Sequence, residues 1–427
     1  MASPAAAKGV AVGIDLGTTN SVIAVMEGAL PSVIPVSPQQ NVLPSVVSFA
    51  KMDEVMVGGP ARRQAIACPN NTFASVKRLI GRKFDSAKKQ AKLVPYRIGS
   101  DEDGNVQLLC DFVEGGVLYP EEVSAYIVAE LLSAAEASTG SSIKKAVISV
   151  PAYFGEDQRE ATIQAGRLAG LETVKLIREP VAAALAYGIS TADDEVILVL
   201  DLGGGTFDVS ILEVGGGTIE VLSTGGDANL GGDDFDNVIV DWLAKTYLAA
   251  VDWKQPSILT NLKRIVEFAK IKLSEAGRVS LSLPVGGENG EGVEVVLTRQ
   301  HLEKLSAPLF KRMGKAVDEA CWQAGVDLGT VMEEHAASQG LQPKGFTVDP
   351  DEAVALGAAI QAGLYEGSVS GLMVMDIWQA SLLRALATKK LKDDKETAQV
   401  LLDKEDLDEF AVDDEEEDVD DNDDDAK

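Results

Sequence analysis

Histidine and cysteine are almost missing from this chain. Two of its 427 residues are histidine (His301 and His335), and three are cysteine (Cys68, Cys110 and Cys321). Neither histidine neighbours a cysteine or an HxxxH partner. A histidine-based metal or acid–base site is therefore disfavoured, and both are expected on helix surfaces. The cysteines are odd in number, far apart and without CxxC spacing, which fits buried thiols in a reducing compartment better than a disulfide framework. Long apolar runs are also lacking, and none approaches the roughly 20 residues that a bilayer crossing requires. Basic residues are few: 38 Lys and Arg stand against 67 Asp and Glu, for a net charge of −29. Asp413 to Asp425 alone holds eleven carboxylates, so the remainder sits near −18. Nucleic-acid binding through a general basic surface is thereby disfavoured. The N-terminus is small and uncharged until Lys8, so no targeting peptide is expected there.

What is present is a repeat. Val12-Gly13-Ile14-Asp15-Leu16-Gly17-Thr18-Thr19-Asn20-Ser21-Val22 recurs as Val199-Leu200-Asp201-Leu202-Gly203-Gly204-Gly205-Thr206-Phe207-Asp208-Val209. Each copy is an apolar strand ending in Asp, a turn through Gly and Thr, and a second alternating strand. Glycine lets the backbone approach a ligand with no Cβ in the way, and successive N–H groups make an anion nest. Aspartate at the strand end sets a carboxylate beside that nest, suited to a hydrated Mg²⁺. One such hairpin is common; two facing each other form a clamp for the phosphate tail of a nucleotide.

The duplication extends further. Ala146 to Pro151 predicts a buried strand, Glu156 to Ala169 a helix, and Val174 to Ile177 a second strand. Glu179-Pro180 then opens a helix, Val181 to Tyr187, capped by Gly188. In the second half Asp349-Pro350 opens an Ala-rich helix, Asp351 to Ala362, capped by Gly363. Thr298 heads a long amphipathic helix closed by Gly325, and Leu259 to Ser274 predicts another. The second half has no counterpart of the strand ending Val150-Pro151. It runs from Val326-Asp327-Leu328-Gly329-Thr330 into a helix-like Val331 to Ala337. The pattern is an α/β domain with a mixed sheet, present twice.

Gly13 to Ser21, Val150-Pro151-Ala152-Tyr153-Phe154, Asp201 to Asp208 and Leu230-Gly231-Gly232-Asp233-Asp234-Phe235-Asp236 together resemble the ATPase domain of the seventy-kilodalton heat-shock chaperones. Ser75-Val76-Lys77-Arg78-Leu79-Ile80-Gly81-Arg82 gives the resemblance a bacterial or plastid cast, and it covers roughly Val10 to Asp376. It implies a duplicated actin-like (ribonuclease-H-like) ATPase fold, two lobes about a cleft that binds ATP or ADP with Mg²⁺. The lobes are expected over 8–188 and 189–376, the second incomplete, with a disordered acidic tail over 377–427. By this resemblance Gly17, Thr18, Thr19 and Asn20 meet the phosphates from the first hairpin, and Gly203, Gly204, Gly205 and Thr206 from the second. Gly232 meets them from the following turn. Asp15 and Asp201 hold water around Mg²⁺, Lys77 reaches the γ-phosphate, and Glu179 and Asp208 order the attacking water. Glu267, Lys270 and Ser274, on one helix, line the adenosine. Lys77 alone would read as part of a solvated basic face, and Glu267 with Lys270 as an ordinary helix ion pair.

Three departures bear on function. Arg178 precedes Glu179 where the family has Asn, and could either pair with Glu179 or face solvent. The family's second adenosine motif, a strand ending Val-Gly-Gly and then Thr-Arg-Met-Pro, has no match between Gly325 and Thr347. Ile377 to Leu383 and the acidic run replace the linker and the peptide-binding domain, which puts unfolded-client binding in question. The leading expectation is an ATP-binding, ATP-hydrolysing chaperone-family protein acting in protein folding, in plastid stroma or cytoplasm. Its implied partners are a J-domain protein and a nucleotide exchange factor, with neither nucleic acid nor membrane. The alternative is a non-catalytic interaction or regulatory module that keeps the fold; a sugar kinase is disfavoured because the motifs match the chaperone pattern so continuously.

Overall fold

The computed structural model describes residues 10–52, 54–187, 195–249, 251–283, 292–328 and 348–375. Both halves start with the repeated hairpin. Strand β1 (Ala11–Leu16) pairs antiparallel with β2 (Asn20–Glu27), which pairs with β3 (Leu30–Val33). Asn20, expected in the turn, is the first residue of β2. On the other side β1 runs parallel to β4 (Lys145–Val150), and β4 parallel to β5 (Thr173–Arg178). The order β5-β4-β1-β2-β3 makes the mixed sheet of the first half. Helices α1 (Pro120–Thr139) and α2 (Glu156–Leu168) pack against one another on this sheet, α1 against β2 and α2 against β4 and β5. Alternating β-branched and aliphatic residues pack inward as Val12, Ile14 and Ile23, joined by Phe49, Phe73 and Leu131 in the largest apolar core.

The second half repeats the start and then differs. Strand β6 (Glu195–Leu202) pairs antiparallel with β7 (Phe207–Gly215), and β7 with β8 (Thr218–Asp227), which is followed at the edge by β9 (Met373–Met375). Among the described residues no strand lies along the outer edge of β6, where β4 covers β1 in the first half. The two strands also differ in side-chain burial: Ile14 and Leu16 are 0% and 4% exposed, whereas their repeat mates Leu200 and Leu202 are 55% and 45% exposed. The segment expected to lack a strand, 329–347, lies outside the described residues, as do Gly188 and the 377–427 tail.

The remaining helices mostly end where their caps dictate. Helix α3 (Glu179–Ala186) begins one residue before Pro180, so the proline occupies the second helical position rather than the first. Helices α4 (Gly232–Tyr247) and α5 (Pro256–Lys272) enclose a second core with the hairpin Arg278–Leu283 and Val293–Thr298. Helix α6 (Arg299–Ala324) has the Thr298 hydroxyl accepting from the His301 N–H at 3.1 Å and stops at Gly325, φ +67°. Its His301 ring packs edge-on to Trp242 at 4.4 Å. Helix α7 (Pro350–Glu366) is capped by the Asp349 carboxylate at 3.0 Å and ends at Gly367, not Gly363. Gly363 stays inside it because a Cβ there would meet Val369 at 2.8 Å, a packing reason rather than a cap. Helix α7 lies on β1, β2 and α3, so close that a Cβ on Gly13 would stand 2.0 Å from the Ala359 nitrogen. Cys110 and Cys321 are buried as expected, while Cys68 is only half-buried.

Candidate functional site

The two Gly-Thr turns meet. A Cβ on Gly204 would stand 2.0 Å from the Thr19 hydroxyl, and one on Gly205 would stand 2.8 Å from the Thr18 hydroxyl. Only glycine permits that approach. The first turn is pinned by Ser45, whose hydroxyl donates to the Gly17 carbonyl at 2.8 Å and whose N–H donates to the Thr19 carbonyl at 2.8 Å. The second turn closes on itself, Gly203 N–H to Thr206 carbonyl at 3.0 Å. The Gly231-Gly232 turn leans on it: the Gly232 N–H donates to Gly203 and the Asp233 N–H to Gly204, each at 2.9 Å. Gly17, Thr18, Thr19, Gly203 to Thr206 and Gly232 are thus brought together; Asn20 is exposed at the start of β2.

A charged cluster surrounds these turns. Lys77, in the turn Val76–Arg78, lies 2.5 Å from the Glu179 carboxylate, and both side chains are 9% exposed. The Lys77 ammonium also faces the Phe154 ring at 5.9 Å. Burial works against the Lys77 charge, but Glu179, Asp15 and Asp201 outweigh it and raise its pKa. Asp15, at the end of β1, accepts from the Ser149 hydroxyl at 2.7 Å. Burial, then the Glu179 charge, pushes Asp15 up to about 6 despite Lys77 and Ser149. Asp201 and Asp208 lie opposite each other in register across β6 and β7. Burial, reinforced by Glu179 and Asp208, lifts Asp201 to about 8. Asp208 rises to about 7 from burial and Glu179, although Thr206, the Ala152 N–H and Lys77 pull it down. One Asp208 oxygen accepts from Ala152 N–H at 2.8 Å, and the other is buried without a hydrogen bond of normal geometry.

Four carboxylates thus crowd one ammonium in a buried place, which is what a site for an added cation looks like. Among the described residues no three of them converge closely enough to coordinate a metal directly. Hard oxygen donors at that spacing fit a hydrated Mg²⁺ held through its waters, the state this ion prefers.

The expected adenosine residues are only partly together. Glu267 on α5 is bonded to Arg62 of the opposite half. Lys270, one turn on, bonds the Gly232 carbonyl at 2.9 Å and Asp236 at 2.8 Å. Ser274 does not share their helix: α5 ends at Lys272, and Ser274 is exposed in the turn beyond, its carbonyl accepting from Arg299 at 3.0 Å. The helix stops because Ser274 and Glu275 bond back to Ile271 and Lys272 in tight turns.

Several residues that matter here escape a motif reading. Arg78 looks like part of a basic surface yet is 5% exposed, bonding Asp234 at 2.8 Å across the halves, and Asp234 accepts from the Gly231 N–H at 2.9 Å. A Cβ on Gly205 would meet the Arg78 stem at 2.8 Å. Ser149 and Ser45 are single polar residues next to apolar runs, and that contrast is the signal that could have found them. Arg178 ends β5 opposite Val150 and is half-buried, while Lys77 engages Glu179.

Two half-domains, each built on a Gly-Thr hairpin and meeting at those turns, have the layout of the actin-like ATPase fold. A family model described as "Hsp70 protein" matches residues 11–419, and the chain belongs to that family. It is 44% identical over 392 residues to "Chaperone protein dnaK" of Cyanidioschyzon merolae, covering 87% of this chain and 64% of that protein. It is 44% identical over 391 residues to "Heat shock 70 kDa protein 7, chloroplastic" of Arabidopsis thaliana, covering 87% and 54%. With "Chaperone protein dnaK3" of Thermosynechococcus vestitus the identity is 44% over 392 residues, covering 87% and 57%. The chain therefore spans about half to two-thirds of the length of these curated relatives. Bacterial-type and plastid relatives both appear, in agreement with the cast of the Lys77 segment. Among the described residues no helix is long and apolar enough to cross a membrane.

Proposed function

We propose that the chain binds ATP and ADP with Mg²⁺ between the two Gly-Thr turns and hydrolyses ATP slowly, as the ATPase part of a protein that assists folding. The observation that carries this is the contact of Gly204 with Thr19, which sets two anion nests face to face. Phosphoryl transfer to water needs charge neutralisation and an oriented nucleophile more than covalent help. Lys77 supplies the positive charge at the end of the phosphate tail. Glu179 and Asp208 would orient a water, whose O–H the second Asp208 oxygen would accept. Asp15 and Asp201 hold the water shell of the metal, which when bound neutralises phosphate charge. Glu267 and Lys270 flank the nucleoside, with Ser274 a weaker contributor from its exposed turn.

By the family relationship, J-domain proteins and nucleotide exchange factors are its partners, and the plastid stroma is its compartment, as the names of the chloroplastic relatives suggest. Turnover of radiolabelled ATP by the wild type, Lys77→Ala and Thr206→Val tests the reading; equal rates in all three would remove the enzymatic claim. A second reading, a non-catalytic module that keeps the fold, draws support from the β6 edge, which has no paired strand among the described residues. Calorimetry with Mg·ATP separates the two, because absence of heat at millimolar nucleotide favours the module.

A further inference from the structure

The two Gly-Thr turns are fixed by different means. In the second, the Gly203 and Gly204 carbonyls accept from the Gly232 and Asp233 N–H groups, each at 2.9 Å, so backbone alone holds them. In the first, one residue does the holding. Ser45 donates from its hydroxyl to the Gly17 carbonyl and from its N–H to the Thr19 carbonyl, both at 2.8 Å. It stands between the short strand Leu43–Pro44 and the strand Val46–Lys51, and is 4% exposed.

The Ser45 hydroxyl also lies 2.8 Å from that of Ser21, which is fully buried on β2. A serine has one hydroxyl proton, and that of Ser45 is already engaged by Gly17. Ser21 is therefore the donor of the pair, and the relay runs one way, from Ser21 through Ser45 to Gly17. A trans peptide is planar, its carbonyl and N–H pointing in opposite directions. Holding the Gly17 carbonyl turns the Thr18 N–H away from Ser45, and holding that of Thr19 does the same for the Asn20 N–H. Thr18 is buried, and among the described residues its N–H donates to no backbone carbonyl. A buried N–H without a partner calls for a ligand. Glycine at position 17 makes rotation of the next peptide cheap, so the tether decides which way it faces.

We propose that Ser45 is a positioning residue for the phosphate tail. Its hydroxyl, oriented by Ser21, keeps the Gly17–Thr18 peptide with its N–H turned to receive an anion, and so sets how tightly phosphate is held. This rests on the nucleotide reading and adds to it the side chain that keeps the first nest open. Ser45 acts through Gly17. A second relay on the neighbouring strand provides a control of the same chemistry. The Ser48 hydroxyl, fully buried, lies 2.7 Å from that of Thr72, which donates to the Cys68 carbonyl at 2.8 Å. That relay ends on Cys68 instead of a Gly-Thr turn.

Calorimetry of the full chain with Mg·ADP compares wild type, Ser45→Ala, Ser45→Thr, Ser21→Ala and Ser48→Ala. Adenosine, followed by ligand-observed NMR, reads the nucleoside without its phosphates. Ser45→Ala removes the hydroxyl but keeps the N–H to Thr19; it should weaken Mg·ADP about tenfold, as loss of one charge-assisted bond does, and leave adenosine unchanged. Ser45→Thr, which retains the hydroxyl, should recover most of that loss. Ser21→Ala should weaken Mg·ADP about threefold, the smaller effect of an unoriented donor. Ser48→Ala should lower the urea midpoint as Ser45→Ala does, yet bind Mg·ADP like wild type. If Ser45→Ala does not unfold cooperatively, the contrast between Ser21→Ala and Ser48→Ala carries the same test. Wild-type affinity for Mg·ADP in Ser45→Ala, an equal loss in Ser48→Ala, or adenosine weakening in step with Mg·ADP each overturns this inference and leaves the nucleotide reading standing. A wild type that does not bind Mg·ADP at all sinks both.

Discussion

Lys77 and Glu179, 102 positions apart in the chain, bring ammonium and carboxylate to 2.5 Å with both side chains 9% exposed. The pair ties the short Val76–Arg78 turn to the first turn of α3. Removing one partner leaves the other buried without its counter-charge, which costs about 3–5 kcal/mol, whereas removing both costs much less. Urea unfolding of Lys77→Met should show that loss, and Lys77→Met with Glu179→Gln should recover more than half of it. Equal stabilities for single and double variants would mean the pair is solvated.

The aspartates predict an unusual pH response. Asp15, Asp208 and Asp201 titrate at about 6, 7 and 8 in the fold, above the ordinary 3.8. Between those limits the folded chain holds more protons than the unfolded one, so stability falls as pH rises from about 4 to about 8. Melting temperature without nucleotide should therefore be lower at pH 8 than at pH 6. Mg·ADP, or Asp201→Asn, should flatten the slope, and a flat profile in the untreated wild type would refute these shifts.

Gly204→Ala tests the contact between the turns. Its Cβ would lie 2.0 Å from the Thr19 hydroxyl, so the halves must separate there. Affinity for Mg·ATP by calorimetry should drop at least about tenfold, the loss of one or two hydrogen bonds to phosphate. Adding Thr19→Gly, which removes the colliding atoms, should restore part of it. An unaltered affinity in Gly204→Ala alone would mean the turns do not close on the nucleotide.

Repeat mates should respond unequally to mutation. Ile14→Ala removes a fully buried side chain and should cost about 2–5 kcal/mol. Leu200→Thr, at the matching position but 55% exposed, should change stability by no more than about 0.5 kcal/mol. It should also improve solubility, since an apolar edge strand invites pairing with other chains. Denaturant titrations of the two variants measure the difference directly.

Much of this was legible from the residues because the repeat carries its own register. Asp15 and Asp201 end matching strands, so both hairpins and their Gly-Thr turns could be written down from spacing. Thr298 with Gly325, and Asp349 with Pro350, bound helices through cap chemistry that acts within a few residues. Gly363 misled for the same reason: a cap and a packing glycine look alike until the neighbouring Val369 is known. Ser274 misled because the helical face continues past the point where backbone bonds tighten. Arg78 was hidden entirely, for a guanidinium next to lysine reads as surface unless the Asp234 carboxylate that buries it is seen. The sequence between Gly325 and Thr347 offers no repeat of β4, and among the described residues no strand pairs with the outer edge of β6; the exposure of Leu200 and Leu202 was not legible from the repeat.

Helix α7 has a consequence for how the molecule is made. All strands of the first sheet have left the ribosome by Arg178, but the helix that seals β1 and β2 begins at Pro350. At about 5–20 residues per second, on the order of 10–30 s of synthesis separate the two. Throughout that interval Gly13, Val22 and Ala24 form a groove waiting for its own chain, and the earliest half of the protein finishes last.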